Sequence, residues 1–133
     1  MNTNYFLNLV SGNVFRTKTS PAIPSKYYLG LSRTAPNISG GNVSEPPTSA
    51  GYARMELTNL TAPANGVVTN NNTIDFAEST SDWGTLTHYV IYDAKTGGHL
   101  LMYGQLTASR TVEAATVMTI KANGLTLSAL NPT

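Results

Sequence analysis

Groups able to exchange protons are few in this chain: His88 and His99, with the carboxylates Glu45, Glu56, Asp75, Glu78, Asp82, Asp93 and Glu113. Three of the acids, Asp75, Glu78 and Asp82, fall within eight residues of DFAESTSDW. Such a cluster suits a paired-carboxylate hydrolase or a calcium ion held by oxygen ligands. The spacing lacks the alternating acids of a calcium loop, and side chains capping Asx turns account for the same residues. His88, His99 and Asp93 together have the composition of a two-histidine, one-carboxylate metal site. Strand register separates them, however, since His88 falls mid-strand and His99 beside a turn, where Asp93 is placed to bond the turn backbone. The chain has no cysteine and no Gly-x-Ser-x-Gly elbow. Its glycine pairs, Gly40-Gly41 and Gly97-Gly98, precede no helix that would present its N-terminus to a phosphate. The expectation is a chain with no catalytic residue, no cofactor and no metal.

Aromatic residues offer a different chemistry. Trp83 with Tyr27, Tyr28, Tyr52, Tyr89, Tyr92 and Tyr103 has the makings of a platform for a sugar, served by the loop from Thr34 to Gly51. Most of these side chains alternate along their segments as core residues do. Four Asn-x-Ser/Thr tripeptides, at Asn37, Asn42, Asn59 and Asn71, follow from a composition rich in Asn and Thr.

Composition narrows the partners. Charged residues make up 11% of the 133 residues, against roughly 25% in an average soluble domain, and the formal net charge is +1. So weak a self-repulsion favours assembly. The eight Lys and Arg are scattered and form no basic run, which argues against nucleic acid. The opening MNTNYFLNLV lacks a basic n-region, and no later stretch approaches the ~20 apolar residues of a membrane span, so synthesis and folding in a cytosol are expected.

The elements that position these groups begin with a helix. Tyr5, Phe6, Leu9 and Val10 recur at helical spacing behind Thr3 or Asn4 as caps, with Gly12 closing the last of two to three turns. Pro21 and Pro24 then impose an extended connector. From Lys26 the pattern turns to strands: KYYLGLS with Leu29 and Leu31 on one face, YARMELTNL, GVVT and NTIDFA around Asn70–Asn72, LTHYVIYD, HLLMYGQL, TVMTIKA and GLTLSAL. A Pro-Ala-Asn-Gly turn precedes GVVT, Asn123-Gly124 predicts a hairpin between the last two strands, and Ala94–Gly98 joins the longest hairpin, Ser81–Leu106. In that hairpin Tyr89 and Ile91 oppose His88, Val90 and Tyr92, so both faces are apolar and both need cover. The fold class expected is mainly β: a single antiparallel β-sandwich of about seven strands with a short N-terminal helix. The division expected is an N-terminal helical arm and connector, residues 1–20, and a β-sandwich domain, residues 21–133.

The segments YYLGLSRTAP, EPP with AGYAR, DWGTLTHYVIYDAKTGGHLLMYGQLT and ANGLTLSAL, in that order, resemble a group of small bacteriophage virion proteins of tail-fibre-like type. The resemblance runs from about Asn8 to the C-terminus and is most specific in WGTLTHYVIYDAKTGG; Met118, Lys121 and the NNNTIDF stretch are local departures. It implies a non-enzymatic part of a phage particle, as a head decoration or a tail component, and it carries no catalytic motif to transfer. The partners expected are other virion proteins of capsid or tail and further copies of the chain in a homo-oligomer such as a trimer, with no nucleic acid or membrane. Host-surface glycan is the alternative partner. Tyr5, Phe6, Leu9 and Val10 on the docking arm, together with Trp83 and Tyr89, are the residues expected to meet a partner.

Overall fold

The computed structural model describes residues 1–16 and 22–128 of the chain. Helix α1 spans Asn4–Phe15, and eight strands follow: β1 Tyr28–Ser32, β2 Met55–Glu56, β3 Val67–Thr69, β4 Ile74–Asp75, β5 Gly84–Tyr92, β6 Leu100–Val112, β7 Thr119–Ile120 and β8 Thr126–Ser128. The protein is mainly β with one short N-terminal helix. Its described strands form three antiparallel sheets: a four-stranded sheet in the order β2-β1-β5-β6, a β3-β8 ribbon and a β4-β7 ribbon.

Alternation along β1 and β5 produces two cores. Leu29 and Leu31 lie opposite Ile91 and Tyr89, and this face packs with Leu86, Leu101, Phe76 and Trp83. The ribbons cover it, contributing Ile74, Ile120, Met118, Leu125 and Leu127. On the opposite face Val90, Tyr92 and Leu100 form a second cluster, covered by Val43 and Tyr103. Both faces of the long hairpin are thus buried near its turn, over Val90–Tyr92 and Leu100–Met102, as the apolar pattern there requires, whereas Thr107–Thr111 of β6 are exposed. Its turn also follows expectation: Gly97 and Gly98 take φ of 63° and 74°, and Asp93 Oδ1 accepts the His99 N–H at 2.8 Å.

The layer over the main sheet is split, and the hairpin expected at Asn123-Gly124 does not form. Asn123 does adopt a positive φ of 61°, but β7 pairs with β4 and β8 with β3. The cause is Asn70, which is buried between the two corners. Its side chain donates to Lys121 O at 2.8 Å and accepts the Leu125 N–H at 2.9 Å, while its own carbonyl accepts the Asn123 N–H at 2.8 Å. The turn keeps its own bond from Gly124 N–H to Lys121 O at 2.9 Å, but the neighbouring backbone groups bond this asparagine, and the flanking strands diverge to separate partners. By contrast, the Pro-Ala-Asn-Gly turn closes as expected, with Asn65 and Gly66 at φ of 54° and 77° and Ala64 exchanging both backbone bonds with Val67.

The helix begins where the capping residues predict. Thr3 is the N-cap, its Oγ1 accepting the Phe6 N–H at 3.3 Å. Gly12, however, does not end it. The helix continues to Phe15, and the Arg16 N–H closes on Gly12 O at 3.0 Å. A glycine costs about 1 kcal/mol inside a helix, which the anchorage of the preceding turns offsets. That anchorage is firm: Thr3 N–H donates to Leu101 O at 2.9 Å, Thr3 Oγ1 to Leu100 O at 2.7 Å, and Tyr103 N–H to Met1 O at 2.9 Å. Residues 1–3 therefore extend the edge of β6, and Leu9 is buried against the body.

Candidate assembly surface

Asp75, Asp82, His88 and His99 are each engaged in local structure. Asp75 Oδ1 accepts from Thr119 Oγ1 at 2.6 Å across the β4-β7 ribbon, and Asp82 Oδ1 accepts the Ala114 N–H at 3.0 Å. His88 lies mid-strand opposite Gln105, with Nδ1 2.8 Å from Thr87 Oγ1, and burial lowers its pKa. His99 sits beside the turn, its ring stacked on Tyr5 at 4.1 Å and its Nδ1 3.2 Å from Asp93 Oδ2. Among the described residues no three His, Cys, Asp or Glu side chains gather as a metal site would need.

The densest polar cluster is buried and ties the long loop to the sheet. Arg54, 8% exposed, grips Glu45 with two parallel bonds, Nε to Oε2 at 3.0 Å and Nη2 to Oε1 at 2.7 Å. Its Nη1 donates to Ala94 O and Gly97 O at 2.8 and 2.7 Å, and its guanidinium lies 3.6 Å from the centroid of the Tyr92 ring. Tyr52 OH donates to Glu45 Oε2 at 2.5 Å and accepts the Leu31 N–H at 3.0 Å. Each polar atom has a partner inside the chain, so the cluster fastens the Thr34–Gly51 segment and the hairpin turn together.

Burial, then the bond to Glu45, pushes the Tyr52 phenol far above its ordinary value near 10, and burial also raises Tyr27, Tyr89 and Tyr92. Above about pH 10 the unfolded chain releases these protons while the folded chain retains them. Their contribution to stability is complete below that pH and declines above it, by up to about 1.4 kcal/mol per pH unit for each tyrosine. Urea midpoints measured from pH 8 to 11 should fall over the last unit, and Tyr52→Phe should flatten the decline. An unchanged slope in that variant would show that Tyr52 titrates normally.

The residues expected to meet a partner divide by burial. Trp83 is fully buried and Leu9 nearly so, whereas Tyr5, Phe6, Val10 and Tyr89 are half-buried. Tyr5, Phe6 and Tyr89 pack against the main core, and the Tyr89 ring lies so close to Gly104 that a Cβ there would come within 2.5 Å of its hydroxyl. The outward apolar pair is one that sequence reasoning missed: Val14 and Phe15, 58% and 83% exposed, on the helical turn beyond Gly12. The signal was present, since Val14 continues the i, i+4 spacing from Val10.

Near the start of α1 lies an apolar groove of about 320 Å³, between the main sheet and the β3-β8 ribbon. Phe6, Tyr27, Leu57, Leu60, Val68 and Leu127 line it, and no charged side chain enters it. Leu60, 36% exposed, stands at its rim. No described helix is long and apolar enough to cross a membrane. With an exposed apolar pair, an uncharged groove and a net charge of +1, the surface is suited to contact with protein.

Over residues 2–128 the chain matches the family model described as podophage GP4 fiber I protein gp80. No curated protein matches it.

Proposed function

The chain belongs to the podophage GP4 fiber I protein gp80 family and is thus a fibre-type structural component of a phage virion; from that premise we propose that it works without catalysis, by self-assembly and by docking to other virion proteins. It serves as a capsid decoration or head fibre, or as a tail-fibre-like element, and is made in the cytoplasm of the bacterial host. Residues 1–20 supply the assembly segment and residues 21–133 the β body. The observation that carries this reading is the pairing of exposed Val14 and Phe15 with an uncharged apolar groove on a body of almost no net charge. Glycan binding is the weaker reading, because Trp83, Tyr52 and Tyr92, the central members of an aromatic platform, are buried.

Purified particles provide the test. Mass spectrometry should find the chain at many copies per virion, and imaging of particles carrying a tagged chain should place it at repeated positions on head or tail. Absence from purified virions would overturn the proposal. Deleting residues 1–20 would be a poor probe of docking, because it also removes the hydrogen bonds from Met1 and Thr3 to β6.

A further inference from the structure

We propose that the cavity between β6 and β7 binds an anionic saccharide of monosaccharide size, a sugar carrying a carboxylate or a phosphate group. A break in the β5-β6 ladder marks the site. Between the pairs Leu86–Arg110 and His88–Gln105, β5 has one residue, Thr87, whereas β6 has four, Leu106–Ser109. A bulge bends its strand and re-aims the side chains that flank it, and bulges are frequent beside functional sites. Against this one lies a cavity of about 310 Å³, walled by Leu106, Thr107 and Arg110 on one side and by Thr119, Ile120 and Lys121 on the other. Its volume is at the lower end of pockets that accept small ligands, roughly 300–1,000 Å³.

The chemistry of the walls selects the ligand. Arg110 and Lys121, two of the chain's eight cations, are both exposed at the cavity and form no ion pair among the described residues. No acidic side chain among the described residues lines it, and Asp75, across the β4-β7 ribbon, is held by the Thr119 hydroxyl. Two like charges with no counter-charge make the cavity complementary to an anion. The guanidinium suits the paired oxygens of a carboxylate or phosphate, and the ammonium adds a second point charge. Away from these cations the lining is apolar, with Met118 and Ile120 buried and Leu106 half-buried, while exposed Gln105 and Thr107 add an amide and a hydroxyl. An acidic sugar answers all three features: its charged group meets the cations, its C–H face the apolar lining, and its hydroxyls the polar side chains. The site owes nothing to the buried rings of Trp83, Tyr52 and Tyr92.

Nuclear magnetic resonance titration of the isotope-labelled full chain at low ionic strength tests this with four probes: glucuronate, glucose-6-phosphate, glucose and inorganic phosphate. At least one of the two anionic sugars should give saturable shifts confined to the β6 bulge and β7, and which of them binds identifies the acid group. Glucose and inorganic phosphate should bind roughly tenfold or more weakly, since each supplies only part of the match. Arg110→Gln and Lys121→Gln should each weaken the sugar by a similar factor, whereas Lys95→Gln, an exposed cation outside this cavity, should leave it unchanged. All three substitutions are at exposed positions, so folding should survive and is checked from the same spectra. Added salt should weaken binding as the charges are screened. No saturable shift with either anionic sugar, equal binding of glucose or inorganic phosphate, or equal loss in Lys95→Gln would overturn the proposal. The structural role in the virion stands or falls separately, on the presence of the chain in purified particles.

Discussion

Truncating Trp83 to alanine should cost roughly 3–5 kcal/mol of folding stability, a large share of the 5–15 kcal/mol typical of a domain. The indole is 0% exposed and stands edge-on to Tyr52 and Phe76, with ring centroids 5.4 and 6.4 Å away. Its removal opens a cavity at the junction of the four-stranded sheet, the turn Thr48–Ala50 and the segment that enters β5. It also removes the indole N–H bond to Ala50 O at 2.9 Å, leaving that carbonyl with the Thr80 N–H alone. Trp83→Phe should be milder, because an aromatic ring still fills most of the space and the main loss is that hydrogen bond. Urea denaturation of the three proteins measures the difference. Equal stability of wild type and Trp83→Ala would show that the side chain is not a core anchor.

The second large effect is expected from the Glu45–Arg54 pair. Removing either partner leaves the other charge with little access to water, so Glu45→Ala and Arg54→Ala should each destabilise by roughly 3–5 kcal/mol. Arg54→Lys should not rescue, since an ammonium cannot hold both carboxylate oxygens and the carbonyls of Ala94 and Gly97 in the geometry the guanidinium uses. The two alanine substitutions together should cost clearly less than their sum, because the second removes a charge that the first has already stranded. Additive losses would mean that the two side chains act independently. Hydrogen exchange should show the site of the effect as faster exchange in the Thr34–Gly51 segment, which the pair fastens across the second core.

Much of the local architecture was legible in the sequence. Period-two alternation identified the faces of β1 and β5, because successive side chains on a strand point to opposite sides wherever the strand lies. Thr3 as helix cap, Asp93 at the hairpin turn and the Asn65-Gly66 turn were legible for a similar reason, as each depends on backbone angles and hydrogen bonds within a few residues. The scarcity of reactive groups was plain from composition. Gly12 misled, since its local tendency to end a helix is smaller than the support α1 receives from β6 and from buried Leu9. Val14 and Phe15 therefore lie inside the helix and on its exposed surface, beyond the end that Gly12 alone predicts.

From the residues alone it follows that the chain is mainly β, that its longest hairpin is apolar on both faces and that it resembles phage virion proteins. These properties are carried by residue type and short-range period. Long-range packing makes Trp83 a core residue, parts β7 and β8 to separate ribbons around Asn70, and leaves Phe15 pointing away from the body. Each depends on a residue brought from far along the chain: Ala50 to Trp83, Asn70 to Leu125, Leu101 to Thr3. Such encounters are governed by how the whole chain buries its apolar surface and satisfies its buried backbone, and no local pattern encodes them.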